Sequence, residues 1–129
     1  MGLFNANDHS YEHDVDLGAN SLNTKCNVVL ICASVDNHKS FKNVRDKWLR
    51  RVSKSNSRDA VKILVMTNAQ LYDRQDYRRP LVSEEEYQQM ARDLDIESCE
   101  YHFNDRQDAL NVFEKAFTLA ANRSRSNEL

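Results

Sequence analysis

Residues 62–73, KILVMTNAQLYD, pass directly from an apolar run into a polar segment. Residues 63–66 are all apolar and do not alternate with polar ones, which is typical of a strand buried on both faces of a parallel sheet. Thr67, Asn68 and Gln70 follow within four positions. In open α/β sheets, ligands bind just beyond the carboxyl ends of the strands. The sequence therefore indicates a strand followed by a candidate binding loop.

The same pattern of apolar runs and polar segments extends outward in both directions. Residues 27–35, NVVLICASV, predict a second buried strand, and residues 98–103 predict a shorter one. Three other stretches carry apolar residues at helical spacing, which predicts three amphipathic helices. Their expected inward-facing residues are Phe41, Val44, Trp48, Leu49 and Val52, then Tyr87, Met90, Ala91 and Leu94, and finally Leu110, Phe113, Ala116, Phe117 and Ala120. Strands that alternate with helices predict an α/β domain with a mainly parallel sheet.

Polar residues mark where these helices begin. Asp36, Asn37 or Ser40 is positioned to cap the first helix. The second helix is preceded by Ser83, and a Glu three residues later completes the pattern of a capping box. The last helix is predicted to begin near Asp105.

The composition limits the classes of protein. The chain has 129 residues, of which 29% are charged, and a formal net charge of −2, so no overall field favours nucleic acid or a membrane. No run approaches the roughly 18 apolar residues of a membrane span, and the first ten residues lack the features of a signal peptide. Cys26, Cys32 and Cys99 have no pair spacing and are expected to be free thiols in a reducing compartment. We therefore expect a cytoplasmic protein that does not bind nucleic acid.

Several segments resemble small GTPases of the Rho/Rac type. In LICASVDNHKSFKNVRDKW, residues 30–48, a strand ends in Ser-Val, and Asn, Ser-Phe and Asn-Val lead into a helix that carries a Trp. These positions are Ser34, Val35, Asn37, Ser40, Phe41, Asn43, Val44 and Trp48. ILVMTNAQL resembles the base-recognition strand and loop, MARDL the following helix, NVFEKAFTLA the terminal helix, and GLFNANDHSY the end of the third strand and its loop. The resemblance implies a partial P-loop-NTPase-like fold, like that of small GTPases, from which the phosphate-loop strand is absent.

The groups that bind phosphate in the family are missing or altered. The sequence contains no G-x-x-x-x-G-K-[ST], and therefore no phosphate cradle with its Lys and its Mg²⁺-binding hydroxyl. The family carries the motif Asp-Thr-Ala-Gly-Gln, and residues 5–9 occupy the positions that resemble it. Asn5 stands at the first of these positions, and Asp8 and His9 stand at the last two. A carboxylate at Asp8 would repel a phosphate. We therefore expect no GTP hydrolysis, no catalytic residue and no cofactor.

The positions that would contact guanine are also altered. The resemblance assigns this role to Thr67, Asn68, Gln70, His102 and Phe103. Gln70 replaces an Asp that accepts two guanine N–H groups, and its amide has only one carbonyl acceptor. His102 and Phe103 replace a Ser-Ala pair and are far bulkier. We therefore expect that the loop does not hold guanine.

One motif suggests a metal. HSYEH, residues 9–13, matches the H-x-x-E-H pattern of zinc peptidases, in which His9 and His13 would be ligands and Glu12 a general base. The polar surroundings and the lack of a helical period favour a loop. The sequence therefore predicts no metal site, and a zinc enzyme is a remote alternative.

A group of basic residues follows the Trp of the first helix. Lys47, Arg50, Arg51 and Lys54 are predicted to lie on one side of it. Such a group can dock an acidic partner or anionic headgroups, but a solvated helix face is the commoner case. We expect Trp48 itself to lie in the core.

These observations divide the chain into three segments. Residues 1–25 are predicted to be a polar, poorly ordered lead-in that resembles the end of a switch region, residues 26–122 a Rho-like α/β domain, and residues 123–129 a disordered tail. Without a phosphate-loop strand, one edge of the strand at residues 28–33 would be open unless residues 1–25 cover it, which predicts a homodimer through this sheet edge, aggregation, or a partner that adds a strand. The chain also lacks the terminal Cys motif and the myristoylation pattern, which predicts no lipid anchor.

The resemblance and its departures give two hypotheses for function. The first is a degenerate Rho-type small GTPase-like protein that has no usable nucleotide site and binds a protein partner. The alternative is a truncated part of a genuine GTP-hydrolysing Rho-type GTPase, for which GTP or GDP and Mg²⁺ would be cofactors.

Overall fold

The computed structural model describes the backbone of residues 2–5 and 25–128 and the side chains of residues 25–123. Four strands form one sheet in chain order: β1 (Gly2–Asn5), β2 (Val28–Ser34), β3 (Val61–Thr67) and β4 (Glu97–Glu100). The helices are α1 (His38–Asn43), which continues through a π-helical turn (Val44–Trp48) into α2 (Leu49–Ser53), then α3 (Glu84–Leu94) and α4 (Arg106–Glu128). A 3₁₀ turn (Ala69–Asp73) follows β3.

The centre of the sheet is the pairing of β2 with β3. The two strands are parallel and in register from Val28↔Val61 to Ser34↔Thr67, and every residue of β2 is buried. Helices cover both faces of these strands, which explains why their sequences do not alternate between apolar and polar residues. β4 pairs parallel to β3. The predicted α/β fold with a parallel sheet is confirmed.

The continuous helix α1–α2 and the helix α3 pack on one face of the sheet. Trp48 is only 4% exposed and lies in one core cluster with Val44, Val52, Tyr87 and Met90, as the helical spacing predicted. Burial of these side chains is the main source of stability for short helices of this kind, because isolated helices of such length are marginal in water.

Both helix starts are fixed by side-chain caps. Of the three candidates for the first cap, Asn37 takes this role, since its Oδ1 accepts the backbone N–H of Ser40 at 3.0 Å. At α3, the Ser83 hydroxyl accepts the N–H of Glu86 at 3.1 Å, and the Glu86 carboxylate accepts the N–H of Ser83 at 3.2 Å. The predicted capping box is confirmed.

The helix α4 packs on the opposite face of the sheet, through a stripe that includes the predicted Ala116 and Ala120 but not the three large residues predicted with them. Val112 and Ala116 are buried against β2 and β3, whereas Leu110, Phe113 and Phe117 are 61%, 44% and 65% exposed. The prediction that these three residues face inward is wrong. Both sets recur at helical spacing, and the smaller side chains allow the helix to lie closer to the sheet, so periodicity alone could not choose between them.

The edge of β2 that was expected to be open is paired. β1 runs parallel to β2 in the register Gly2↔Val29 to Asn5↔Cys32, so residues 2–5 of the expected disordered lead-in form a strand. A parallel ladder needs only backbone donors and acceptors, and a short apolar segment is therefore sufficient. In the described sheet the outer strands are β1 and β4. A homodimer through a sheet edge stays a prediction, but β2 is not the strand that would form it.

The chain end also differs from the expected disordered tail of residues 123–129. The helix α4 continues to Glu128. The segment after residue 106 contains neither Gly nor Pro, and its arginines have high helix propensity, so nothing in the sequence ends the helix earlier. Among the described residues, no helix is both long and apolar enough to cross a membrane.

Candidate functional site

The predicted binding loop lies where the carboxyl ends of β2, β3 and β4 meet. The loop after β3 and the loop after β4 are joined by backbone hydrogen bonds, since the N–H of Ala69 donates to the carbonyl of Tyr101 at 3.1 Å and the N–H of Tyr101 donates to the carbonyl of Met66 at 2.9 Å. The Thr67 hydroxyl donates to the carbonyl of Ala33 at 3.1 Å. The fold therefore brings the five candidate base-site residues to one end of the sheet.

Asn68 holds the ends of β2 and β3 together. Its backbone is left-handed, with φ 62° and ψ 27°, a conformation that Asn adopts more readily than most residues. Its amide nitrogen donates to the Ser34 hydroxyl at 2.7 Å, and that hydroxyl donates in turn to the Asp36 carboxylate. The chain of contacts makes Asn68 a structural link between the two strands.

Gln70 is bound at both ends of its amide within the protein. Its Oε1 accepts the backbone N–H of Phe103 at 3.0 Å, and its Nε2 lies 3.4 Å from Oδ1 of Asn68, to which it donates. These two bonds fix the orientation of the Gln70 amide within the loop. The arrangement offers guanine a neutral amide that already has partners in the protein, and no carboxylate at this position.

His102 is held by an acidic residue that the sequence reasoning missed. The Asp108 carboxylate accepts the backbone N–H of His102 at 2.6 Å, and its Oδ2 lies 2.8 Å from Nδ1 of the same residue. This hydrogen bond is the main reason why the pKa of His102 is raised above its ordinary value. The sequence feature that could have predicted this pair is the position of Asp108 in the first turn of a helix, six residues after His102. Phe103, next to it, is 74% exposed.

A polar cleft lies beside this loop. It is lined by Ser34, Asp36, Asn37, His38, Asn68 and Arg79. The Tyr77 hydroxyl donates to Oδ2 of Asp36 at 3.3 Å, which ties the following loop to the cleft. The Asp36 carboxylate is thus engaged by two neutral hydroxyl groups, one at the end of β2 and one in the loop before α3.

The side chains of the candidate phosphate and metal residues are outside the described part of the chain. Asp8, His9, Glu12 and His13, and the side chain of Asn5, lie outside the residues that the structure describes. Over the side chains it describes, residues 25–123, no group of three or more His, Cys, Asp or Glu residues could hold a metal ion. The predictions for these positions stay predictions.

The basic residues of the predicted docking face lie on α1–α2, away from the base site. Nζ of Lys47 and the guanidinium of Arg51 lie 4.9 Å and 5.4 Å from the centre of the Trp48 ring, within the range of cation–π contacts. Arg50 and Lys54 are exposed. Leu49 and Ser53 of α2 line one cavity with Val61 and Lys62, so the carboxyl end of α2 lies near the start of β3. Gln70 follows the other end of β3, and the basic residues are therefore at the opposite end of the sheet from the base site.

The thiols behave as the cysteine count predicted. Cys26, Cys32 and Cys99 are free. Burial raises the pKa of Cys32 to about 12 and that of Cys99 to about 11. Neither of these two thiols is therefore suited to be a nucleophile, since the thiolate is the reactive form.

Comparison with known proteins gives one match. The family model described as "Ras family" matches residues 14–122, which include every described strand except β1, and all the base-site positions. No curated protein matches the chain.

Proposed function

The chain belongs to the Ras family, and on this premise we propose that it is a degenerate member of the Rho type that does not bind guanine nucleotides and acts by binding a protein. The Rho assignment rests on the segment from Ser34 to Trp48, whose residues resemble that type. The proposal implies no GTPase activity, no cofactor and no Mg²⁺.

One observation carries the proposal that nucleotide is not bound. The Oε1 of Gln70 accepts the N–H of Phe103 at 3.0 Å, at the place where the family pattern has an Asp that pairs with guanine. A neutral amide that is already bound to its own chain cannot replace a bidentate carboxylate acceptor. The bond is exposed, and a hydrogen bond of this kind contributes about 0.5–1.5 kcal/mol, so opening the loop adds a modest amount to the energy that the ligand must supply.

The test uses two ligands, because base and phosphate recognition can fail separately. We would record amide NMR spectra of the chain with guanosine, which probes the base site alone, and titrate fluorescent GDP in the presence of Mg²⁺. The expected result is that the signals of the Phe103 N–H and the Gln70 side-chain amide do not move with guanosine and that GDP does not bind. Adenosine serves as the matched control.

Two results would contradict the proposal. Saturable shifts of these two amides with guanosine and not adenosine would show an open base site. Saturable GDP binding would support the alternative function instead, in which these residues are a truncated part of a nucleotide-binding GTPase.

The proposed protein-binding role is supported by the surface of α1–α2. Its basic side chains are concentrated on one helix and two of them, Lys47 and Arg51, are held in place over the Trp48 ring. Fixed cations lose less side-chain entropy on binding, and charged surfaces accelerate association with a complementary partner.

A further inference from the structure

Two helices that share one face of the sheet carry opposite charges. Over residues 38–54, which form α1–α2 and the next residue, there are seven Lys or Arg residues and one carboxylate, Asp46. Over residues 84–97, which form α3 and the turn into β4, there are six carboxylates and one cation, Arg92. The net charge of the whole chain is only −2, so this separation is local and does not appear in the composition.

The two helices are neighbours. Trp48 and Val52 from the basic helix share a core cluster with Tyr87 and Met90 from the acidic one. Near their carboxyl ends, Leu49 and Leu94 line the same cavity. A basic strip and an acidic strip therefore lie side by side on one surface of the protein.

The charged side chains on both strips face solvent. On the basic strip, Lys39, Lys42, Arg50 and Lys54 are exposed. On the acidic strip, the exposed residues are Glu84, Glu85, Glu86, Asp93 and Asp95. The surface thus presents both signs to a partner at the same time.

We propose that this surface pairs with the same surface of a second copy of the chain, so that the basic strip α1–α2 of each copy contacts the acidic strip α3 of the other. This pairing needs a two-fold axis that runs parallel to the two helices and lies between them, in the plane of the interface. Such an axis brings the basic strip of each copy onto the acidic strip of the other, and so forms the same contact twice. Two-fold interfaces are self-complementary in this way, and they are the commonest in soluble oligomers. Complementary potentials of this kind fix the register and exclude other partners.

The side-by-side charges favour a second copy over a uniformly anionic partner. A membrane of acidic lipids or a nucleic acid would be attracted to α1–α2, but it would also meet the carboxylates of α3 beside it. A second copy related by a two-fold axis presents an acidic strip to α1–α2 and a basic strip to α3, so both strips meet the opposite charge. The inference deepens the proposed function by naming a partner, yet its test does not involve nucleotide, so either can fail alone.

The test uses charge reversal in two variants of the full chain. The first, Lys42→Glu with Arg50→Glu, lowers the net charge of the basic strip from +6 to +2. The second, Glu85→Arg with Asp93→Arg, changes the net charge of the acidic strip from −5 to −1. None of these four residues belongs to the capping box of α3, and circular dichroism with thermal melts establishes that each variant is folded.

Mass is measured by light scattering after gel filtration, in about 50 mM and about 500 mM salt, since the Debye length falls well below 10 Å across this range. We expect the unchanged chain to have twice the monomer mass at low salt and to shift toward the monomer at high salt. Each variant alone is expected to shift toward the monomer, because both of its strip contacts are weakened. An equimolar mixture of the two is expected to dimerise more strongly than either variant alone, because the unchanged acidic strip of the first then meets the unchanged basic strip of the second.

The matched control is Arg106→Glu with Asn111→Glu and Thr118→Glu, which lowers the charge by the same amount as the first variant at exposed positions of α4, against the opposite face of the sheet; it should remain a dimer. The inference is overturned if the unchanged chain is a monomer at low salt, if either strip variant dimerises as fully as the unchanged chain, or if the mixture dimerises no better than the variants alone. A monomeric chain that sediments with vesicles of anionic phospholipid would assign the basic helix to a membrane surface instead.

Discussion

The Oε1 of Gln70 lies 3.0 Å from the backbone nitrogen of Phe103, 33 positions further along the chain, and accepts its N–H. This bond joins the loops that follow β3 and β4. The bond uses the N–H of Phe103 and one of the two lone pairs of the Gln70 carbonyl oxygen, so both groups already have a partner in the protein. The relationship leads to a prediction about an attempt to restore the site.

Replacing Gln70 by Asp should not restore GDP binding. The substitution supplies a carboxylate, and charge-assisted hydrogen bonds to it would contribute about 1.5–3 kcal/mol. Family members also depend on phosphate contacts, and this chain contains no G-x-x-x-x-G-K-[ST] motif to provide them. Titration with fluorescent GDP measures the effect, and Gln70→Glu, with a longer acidic side chain, is the control. A saturable signal for Gln70→Asp alone would contradict the prediction.

The His102–Asp108 pair should make stability depend on pH in a defined direction. The pKa of His102 is raised in the folded protein, mainly by its hydrogen bond with Asp108. A raised folded pKa means that protonated His102 contributes stability below its unfolded pKa of about 6.5, and that this contribution is lost as the pH rises through the folded pKa.

We expect Asp108→Asn to lower the pKa of His102 in an NMR titration and to reduce this part of the pH dependence of urea unfolding. Asp76→Asn is the control, because its carboxylate pairs with Arg74 at 3.0 Å instead. A His102 titration that is unchanged in Asp108→Asn would contradict the assignment.

The capping box of α3 should contribute measurably to stability. Ser83→Ala removes the acceptor for the N–H of Glu86 and should lower the free energy of unfolding by about 1 kcal/mol. Ser83→Asn, another good cap, should recover most of the loss. The control is Ser53→Ala, which removes only an exposed bond to the carbonyl of Arg50. Equal losses in Ser83→Ala and Ser53→Ala, measured by urea unfolding, would show that the box has no special role.

The two stripes of α4 should respond differently to substitution. Phe117 is 65% exposed, so Phe117→Ala should change the free energy of unfolding by no more than about 0.5 kcal/mol. Ala116 is fully buried between the helix and the sheet, and Ala116→Leu should cost about 1–3 kcal/mol through overpacking. If chemical unfolding instead shows the larger loss for Phe117→Ala, Phe117 packs against the sheet, as its helical spacing first suggested.

The thiols should differ in reactivity from exposed cysteines. Burial raises the pKa of Cys32 to about 12 and that of Cys99 to about 11, so both are almost entirely protonated near neutral pH. We expect a disulfide reagent to modify neither of them in the native protein while modifying both in urea. Peptide mapping after timed labelling checks this result. Rapid labelling of Cys32 without unfolding would contradict its burial in β2.

The sequence was sufficient for the parts of the fold that depend on local pattern. Residues 63–66 and 28–33 are apolar without alternation, which only strands covered on both faces require. Ser83 and Glu86 fix a helix start through bonds three residues apart, so the capping box could also be predicted.

The remaining features depend on choices that local pattern does not make. On α4 the helical spacing fits both Phe113 and its neighbour Val112, and only the packing against Ile63 and Val65 decides that Val112 is the buried one. The strand β1 has four residues and no readable period, so its pairing with β2 could not be predicted. The bond from Phe103 to Gln70 depends on two loops that meet only in the folded protein.

The closed loop at Gln70 also bears on how such a protein would be controlled. A GTPase works as a timer, because the γ-phosphate orders its switch segments and hydrolysis releases them. In this chain the partner of the Phe103 N–H is a side chain, which is neither hydrolysed nor exchanged. Under the proposed function no hydrolysis step limits how long the molecule stays active, and its effect depends on the number of copies in the cell. Synthesis and degradation would then replace the nucleotide cycle as its switch.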